Sequence, residues 1–272
     1  MARVAFITHP IRDEARRLAD DVMGWFTGLG HEAVLVESGD DVDGADLAVS
    51  IGGDGTILRT VELVSPKGVP ILGVNSGRLG YLTTVEPSHP RSALELWLAG
   101  DFGIEERMTL SVAIDAPSNG LPRGPRIALN EAVVEKTSTG HTVHVAVGLD
   151  GTRFTTYAAD GLIIATPTGS TAYAFSVRGP ILAPSLRALL LTPVSPHMLF
   201  DRSLVFDADV TVRLEVMDER EATLTIDGHE LGRLSRGDGI ECSAGPHPAR
   251  FVTFGERDFF RILKTKFGLA DR

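Results

Sequence analysis

Three stretches of this sequence place polar residues where chemistry could be done. The first is Gly52-Gly53-Asp54-Gly55-Thr56, which follows the apolar run Leu47 to Ile51 and precedes a helical stretch, Ile57 to Val64. Three glycines free the backbone to approach a phosphate closely, and the helix that follows offers unpaired N–H groups and the positive end of its dipole. Asp54 is anionic and does not suit phosphate itself. It suits a role as ligand to Mg²⁺ or as acceptor of a proton from an attacking hydroxyl. The same residues would also serve as an Asp-Gly turn with Thr56 as helix cap.

The second stretch is Asn130-Glu131, two polar residues inside an apolar strand that runs from Ile127 to Glu135. Buried polar groups are costly unless partnered, and the vicinal hydroxyls of a ribose would suit a carboxamide beside a carboxylate; an internal hydrogen-bond network would suit them equally. The third is Asp160 to Tyr173, in which a buried strand, Leu162 to Ala165, runs into the loop Thr166-Pro167-Thr168-Gly169-Ser170-Thr171-Ala172. Such a loop presents hydroxyls and amides to a polar ligand and Tyr173 adds a ring face, although a capped helix start would read the same way.

Other nucleotide motifs are missing. No Gly-Lys dipeptide occurs, so there is no Walker A loop, and there is no kinase HRD loop. Gly28-Leu29-Gly30 with Ala33 mimics a dinucleotide fingerprint, but it follows a helix and reads as a helix end. His141 and His144, three apart on a strand, would point to opposite faces and do not suggest a metal site. Cys242 has no Cys or His nearby and reads as a buried apolar residue.

The elements that must position these residues fall into two textures. Up to about Asp101, short apolar runs alternate with amphipathic stretches: Val4 to Thr8, Asp13 to Leu29, Glu32 to Val36, Leu47 to Ile51, Val69 to Val74 and Ser88 to Leu98. This rhythm predicts βαβ units and a parallel sheet. Beyond it come strand-like segments separated by turns, with Asp150-Gly151 and Asp227-Gly228 as two-residue hairpin signals and Ala116 to Pro125 as a hairpin tip. Arg257 to Phe267 reads as a short terminal helix. The expected fold class is an α/β N-terminal domain, a parallel sheet carrying the GGDG loop, followed by a β-rich C-terminal domain.

Composition bounds the possibilities. The chain has 272 residues, 43% of them hydrophobic, 23% charged and with 29 scattered glycines, which is an ordinary globular composition for one or two domains. Acidic residues outnumber basic ones, 36 to 26, and only Lys67, Lys136, Lys264 and Lys266 are lysines, so nucleic acid is not an expected partner. No uncharged apolar run reaches the ~20 residues of a membrane helix; Leu186 to Val194 is interrupted by Arg187 and Pro193. A single cysteine and an N-terminus without signal-peptide features predict a cytoplasmic protein.

Taken together, the three segments resemble the NAD kinase family, which shares the GGDG loop with the diacylglycerol kinases and the phosphofructokinases. Gly77-Arg78-Leu79-Gly80-Tyr81-Leu82 resembles that family's GxLGFL turn, and Gly179-Pro180-Ile181-Leu182 continues the likeness, which runs from about Asp46 to Glu230. The resemblance implies a two-domain NAD kinase-like fold divided into residues 1–100, 101–254 and a C-terminal helix over 255–272, with NAD bound between the domains. It implies Mg²⁺-dependent transfer of the terminal phosphoryl of ATP, or of polyphosphate, to the 2'-hydroxyl of the adenosine ribose of NAD, giving NADP. Asp54 would be the catalytic proton acceptor and Gly52, Gly53 and Thr56 the phosphate loop. Substrate contacts would fall to Gly55, Arg59, Tyr81, Asn130, Glu131, His141, Asp160, Thr168, Thr171, Ala172, Tyr173, Ser176 and His229.

The resemblance also implies a homodimer or homotetramer whose sites borrow residues from a neighbouring chain. The sequence departs from the family pattern at Tyr81, where phenylalanine is common. It departs again at His229, where glutamine is frequent, and at Ser195, where Ala or Cys often stands. These departures bear on substrate preference more than on chemistry. A lipid or sugar kinase sharing the GGDG loop, or a non-catalytic nucleotide-binding paralogue, are the alternatives.

Overall fold

A computed structural model describes the chain apart from residues 38, 76–81, 84, 117–119, 122–123, 256–258 and 270–272. It divides into two compact units, one formed by Met1–Arg107 with Pro248–Arg272, the other by Met108–His247.

The first unit opens with β1 (Arg3–Thr8), α1 (Asp13–Gly28), β2 (Glu32–Leu35), β3 (Leu47–Gly52), α2 (Asp54–Val64), β4 (Ile71–Asn75), α3 (Pro90–Ala99) and β5 (Gly103–Arg107). In α1 the buried residues are Ala15, Ala19, Val22 and Phe26, spaced three and four apart, so one face of the helix lies on the sheet. β3 is buried along its whole length, as expected of a parallel strand covered on both sides.

In the second unit the chain forms β6 (Leu110–Asp115), β7 (Pro125–Ala128), β8 (Glu131–Lys136), β9 (Val143–Leu149), β10 (Thr152–Ala159) and β11 (Gly161–Ala165). A 3-10 turn over Gly169–Thr171 and the single-turn helix α4 (Tyr173–Ser176) follow. β12 (Ala188–Val194), β13 (Leu204–Asp207), β14 (Val212–Val216), β15 (Ala222–Ile226), β16 (His229–Leu234) and β17 (Gly239–Ala244) complete the unit. Two six-stranded antiparallel sheets result, in the orders β10-β9-β14-β17-β6-β7 and β13-β12-β11-β8-β15-β16. Val112, Val145, Val147, Leu162, Ile164, Leu214, Leu224 and Ile240 belong to one buried cluster drawn from both sheets, which makes this unit a β-sandwich. The other face of the second sheet is covered as well, by Ala174, Tyr173, Val177 and Leu182 over Val133, Ile163 and Leu190. That double burial explains the apolar run ending at Val194: it is a central strand, buried at every position. Both two-residue hairpins form with positive φ at both turn residues, 48° and 77° at Asp150-Gly151 and 47° and 80° at Asp227-Gly228.

The chain then returns to the first unit as β18 (Ala249–Thr253) and α5 (Phe259–Lys266). β18 lies between β4 and β5, parallel to the first and antiparallel to the second, giving the order β2-β1-β3-β4-β18-β5. The cuts therefore fall after Arg107 and His247 and not at the expected divisions after residues 100 and 254, because β5 and β18 pair with each other in the first sheet.

One expected element is corrected. The strand read from Ile127 to Glu135 is two strands, β7 and β8, in different sheets. The break lies at Leu129-Asn130, where the chain passes from one sheet of the sandwich to the other.

Candidate functional site

In the first unit, β3 hands directly to α2 through Gly53, which occupies the cap position in an extended conformation, and Asp54 opens the helix. Thr56 lies inside the first turn and is therefore not the helix cap. Gly52 has a packing reason: a Cβ there would fall 2.1 Å from the Thr56 hydroxyl oxygen. Gly53 and Gly55 have none, since a Cβ at either would meet nothing within 4 Å and neither has a positive φ. Glycine inside a helix costs about 0.5–1 kcal/mol relative to alanine, so Gly55 leaves open space beside the helix N-terminus at a cost in stability.

Asp54 is half-buried, and its Oδ1 accepts a hydrogen bond from the Leu82 N–H at 3.2 Å. Leu82 is placed by the segment that returns beside β4, where Val85 donates to the Gly73 carbonyl at 3.0 Å and accepts from the Asn75 N–H at 2.8 Å. Tyr81 and the Gly77–Tyr81 part of the expected turn lie outside the described residues. The Thr56 hydroxyl is buried with no hydrogen-bond partner among the described residues. Arg59 is half-buried on α2 and, five residues after Asp54, leaves the helix about 140° round from it.

In the second unit the break between β7 and β8 is held from both sides. From the β15–β16 turn, Asp227 Oδ2 accepts from the Leu129 N–H at 2.7 Å, while Oδ1 accepts from the Asn130 N–H at 2.8 Å and the Glu131 N–H at 3.0 Å. Opposite, Thr166 donates its hydroxyl to the Leu129 carbonyl at 2.5 Å and its N–H to the Asn130 carbonyl at 2.8 Å. A Cβ at Gly169 would fall 2.2 Å from the Asn130 oxygen, so only glycine allows this approach. Backbone is thus fixed on each side, and the half-buried Asn130 carboxamide has no hydrogen-bond partner among the described residues.

Glu131 is 6% exposed, and its Oε2 has no partner among the described residues. Burial pushes its carboxyl up to about 8 and the Asp227 charge pushes it the same way, against a hydrogen bond from the Tyr173 N–H. Thr168 contributes another buried hydroxyl with no partner among the described residues. Unpartnered buried polar atoms cost about 1–3 kcal/mol each, so two on neighbouring stretches of chain mark a place where a polar ligand would be accommodated.

The remaining expected residues spread over three places. Thr171 and Ala172 sit in the turn beside Thr168, with the Thr171 hydroxyl donating to the Thr168 carbonyl at 3.2 Å, and the exposed His229 follows the Asp227-Gly228 turn. Asp160 and His141 line a cavity of about 450 Å³ together with Lys136, Thr142, His197 and Arg220. Within it the Asp160 carboxylate is ion-paired with Lys136 at 2.7 Å. Tyr173 stands between these groups, its hydroxyl 3.5 Å from Glu135, and burial followed by the Glu135 and Asp160 charges raises its phenol above the ordinary value. Ser176 lines a separate cavity of about 500 Å³ with Arg178, Thr192 and Ser195. Sequence reasoning missed Asp227; Leu82 and Thr166 fall within the expected Gly77 to Leu82 turn and Asp160 to Tyr173 loop, but without the hydrogen-bonding roles they have here. The Asp-Gly hairpin at residue 227 was the one available signal, and it pointed only to a turn.

The profile of the ATP-NAD kinase N-terminal domain matches residues 36–102, and that of the ATP-NAD kinase C-terminal domain matches residues 129–254. The NAD kinase of Heliobacterium modesticaldum is 46% identical over 222 residues, covering 81% of this chain and 78% of that protein. That of Syntrophotalea carbinolica is 35% identical over 287 residues, covering 100% of both. Among solved structures, yeast NADH kinase complexed with NADH superposes with a TM-score of 0.89 at 22% identity, over 100% of this chain and 89% of that one. An NAD kinase from Archaeoglobus fulgidus in complex with ATP gives 0.77 at 27% identity, over 99% and 100%.

Proposed function

The chain belongs to the NAD kinase family, and on that premise we propose how its residues carry the reaction. It is a phosphotransferase that converts NAD to NADP. In our reading the 2'-hydroxyl of the adenosine ribose gives its proton to the Asp54 carboxylate as its oxygen bonds to the terminal phosphorus of the donor. The bridging P–O bond then breaks, and ADP or a shortened polyphosphate leaves. The first-turn amides of α2 face the phosphoryl charge across the space that Gly53 and Gly55 leave open. Asn130 and Glu131 hold ribose hydroxyls, with Thr168 as a further contact.

Mg²⁺ fits this reading as part of the donor, MgATP. It is a hard cation that takes oxygen ligands, Asp54 is the sole carboxylate in the first turn of α2, and no described cluster of three or more His, Cys, Asp or Glu is arranged for a metal. Its contribution when bound is to neutralise charge on the phosphate oxygens. The working unit in this reading is a homodimer or homotetramer. The compartment is the cytoplasm, where the buried, unpaired Cys242 stays reduced.

The observation that carries the proposal is the β3–α2 junction, where Asp54 is held by the Leu82 amide between two glycines that neither packing nor conformation requires. No observation favours a lipid or sugar kinase or a non-catalytic paralogue. The purified chain should be incubated with Mg²⁺ and each of ATP, other triphosphates and polyphosphate, against NAD and NADH. The expected product is NADP from NAD with ATP or polyphosphate, and absence of NADP with every donor would overturn the reading.

A further inference from the structure

The residue that organises the second unit's polar cluster is not among those expected to touch substrate. Asp227 sits at the end of β15 with φ 47°, a left-handed conformation that places its carboxylate across the β7–β8 break. Three successive amides point at its two oxygens, at 2.7, 2.8 and 3.0 Å. Its own N–H donates to the Glu131 carbonyl at 3.0 Å, so the turn and the break are tied in both directions. We propose that Asp227 is a positioning residue for NAD, its carboxylate gripping the amides of Leu129, Asn130 and Glu131 so that the Asn130 and Glu131 side chains face the ligand. The proposal rests on the reading of Asn130 and Glu131 as NAD-binding residues.

Asp227 has a second effect through its charge. Among the described residues, the charged or titratable groups facing Glu131 are Asp227 from the β15–β16 turn and Tyr173 from α4. Tyr173 presents its amide while its phenol turns to Glu135. The neighbour across the register on β11 is Ala165, and β15 places Ile226 opposite Ala132. A nearby carboxylate and near-complete burial both favour the uncharged acid at Glu131, which can donate as well as accept a hydrogen bond. Ionisation there would put a second negative charge beside Asp227 and before a ligand whose pyrophosphate is anionic. NAD affinity should therefore fall as pH rises past about 8.

The test measures NAD dissociation constants by calorimetry without donor from pH 6 to pH 9.5, alongside kcat, KM and melting temperature, for the native chain and for Asp227→Asn, Glu131→Gln and Asn130→Ala. Asp227→Asn should raise Kd and KM for NAD about tenfold, in the range for losing hydrogen bonds to a charged group, while kcat changes far less. Its alkaline fall in affinity should move to lower pH, because Glu131 ionises more easily without the neighbouring charge. Glu131→Gln should abolish that fall. A merely structural Asp227 would lower the melting temperature and leave the pH profile in place.

A folded Asp227→Asn with native NAD affinity and an unmoved profile overturns the proposal. Should Asp227→Asn fail to fold, an alkaline fall that survives Glu131→Gln overturns it instead. Asn130→Ala with native affinity contradicts the underlying reading; Asn130→Ala weakened beside an unaffected Asp227→Asn contradicts the placement of Asp227 alone.

Discussion

Asn130 and Glu131 differ in what their surroundings ask of them. The Asn130 backbone is clamped by Asp227 and Thr166 while its carboxamide is left without a partner, so replacing it by alanine removes ligand contacts and little else. Asn130→Ala should weaken NAD binding by about 1–3 kcal/mol with a near-native melting temperature, checked by calorimetry and thermal unfolding. Glu131 has a carboxyl raised from 4.5 to about 8, so between those values the folded chain holds a proton that the unfolded chain releases. Stability from this group is therefore fully present below about pH 4.5 and is lost as pH rises to about 8. Glu131→Gln, free of that loss, should melt higher than the native chain at pH 8 without ligand, with the advantage shrinking toward pH 5. An advantage independent of pH would contradict this account. The sequence shows Asn130 and Glu131 as polar residues in an apolar run, and that contrast was enough to single them out. Asp227 looked like any Asp in an Asp-Gly turn, because its partners lie 96 to 98 residues away and no local pattern records them.

Among the elements, the β3–α2 junction was readable because a buried strand, a glycine loop and a helical stretch follow one another locally. Its glycines separate packing from ligand space, which makes a paired test possible. Gly52→Ala forces a Cβ onto the Thr56 side chain and should lower stability by about 1–3 kcal/mol. Gly55→Ala meets no atom and gains helix propensity, so it should hold or raise the melting temperature by about 0.5–1 kcal/mol of stability while lowering kcat/KM, since the new methyl enters the space assigned to phosphate. Thermal unfolding and kinetics on both variants check this, and full activity in Gly55→Ala would mean that the space serves no ligand. Two of the strands that escaped sequence reading share a physical cause. β5 and β16 are edge strands in which most positions are at least partly exposed, and edges carry charged residues instead of an apolar alternation. β12 is the opposite case, buried throughout, so its period-two signal vanishes.

At the scale of the whole molecule, the two textures of the sequence correspond to two units, and the family resemblance holds over both matched stretches. The return of β18 into the first sheet was not legible, because pairing with β4 and β5 is set by tertiary contact across more than half the chain. No described helix is long and apolar enough to cross a membrane. Assembly is testable directly: light scattering at assay concentration should give the mass of two or four chains, and an active monomer would contradict the proposed oligomer. The central claim is that this molecule transfers phosphoryl groups with Asp54 as the proton acceptor, and Asp54→Asn tests it because asparagine keeps the shape and the hydrogen bond from Leu82 while removing the charge. General-base help is worth about 10² to 10⁴ in rate, so kcat should fall at least about a hundredfold, with NAD affinity and melting temperature near native. Measured on the same preparation, a native kcat in Asp54→Asn would contradict the account, whatever the melting temperature does.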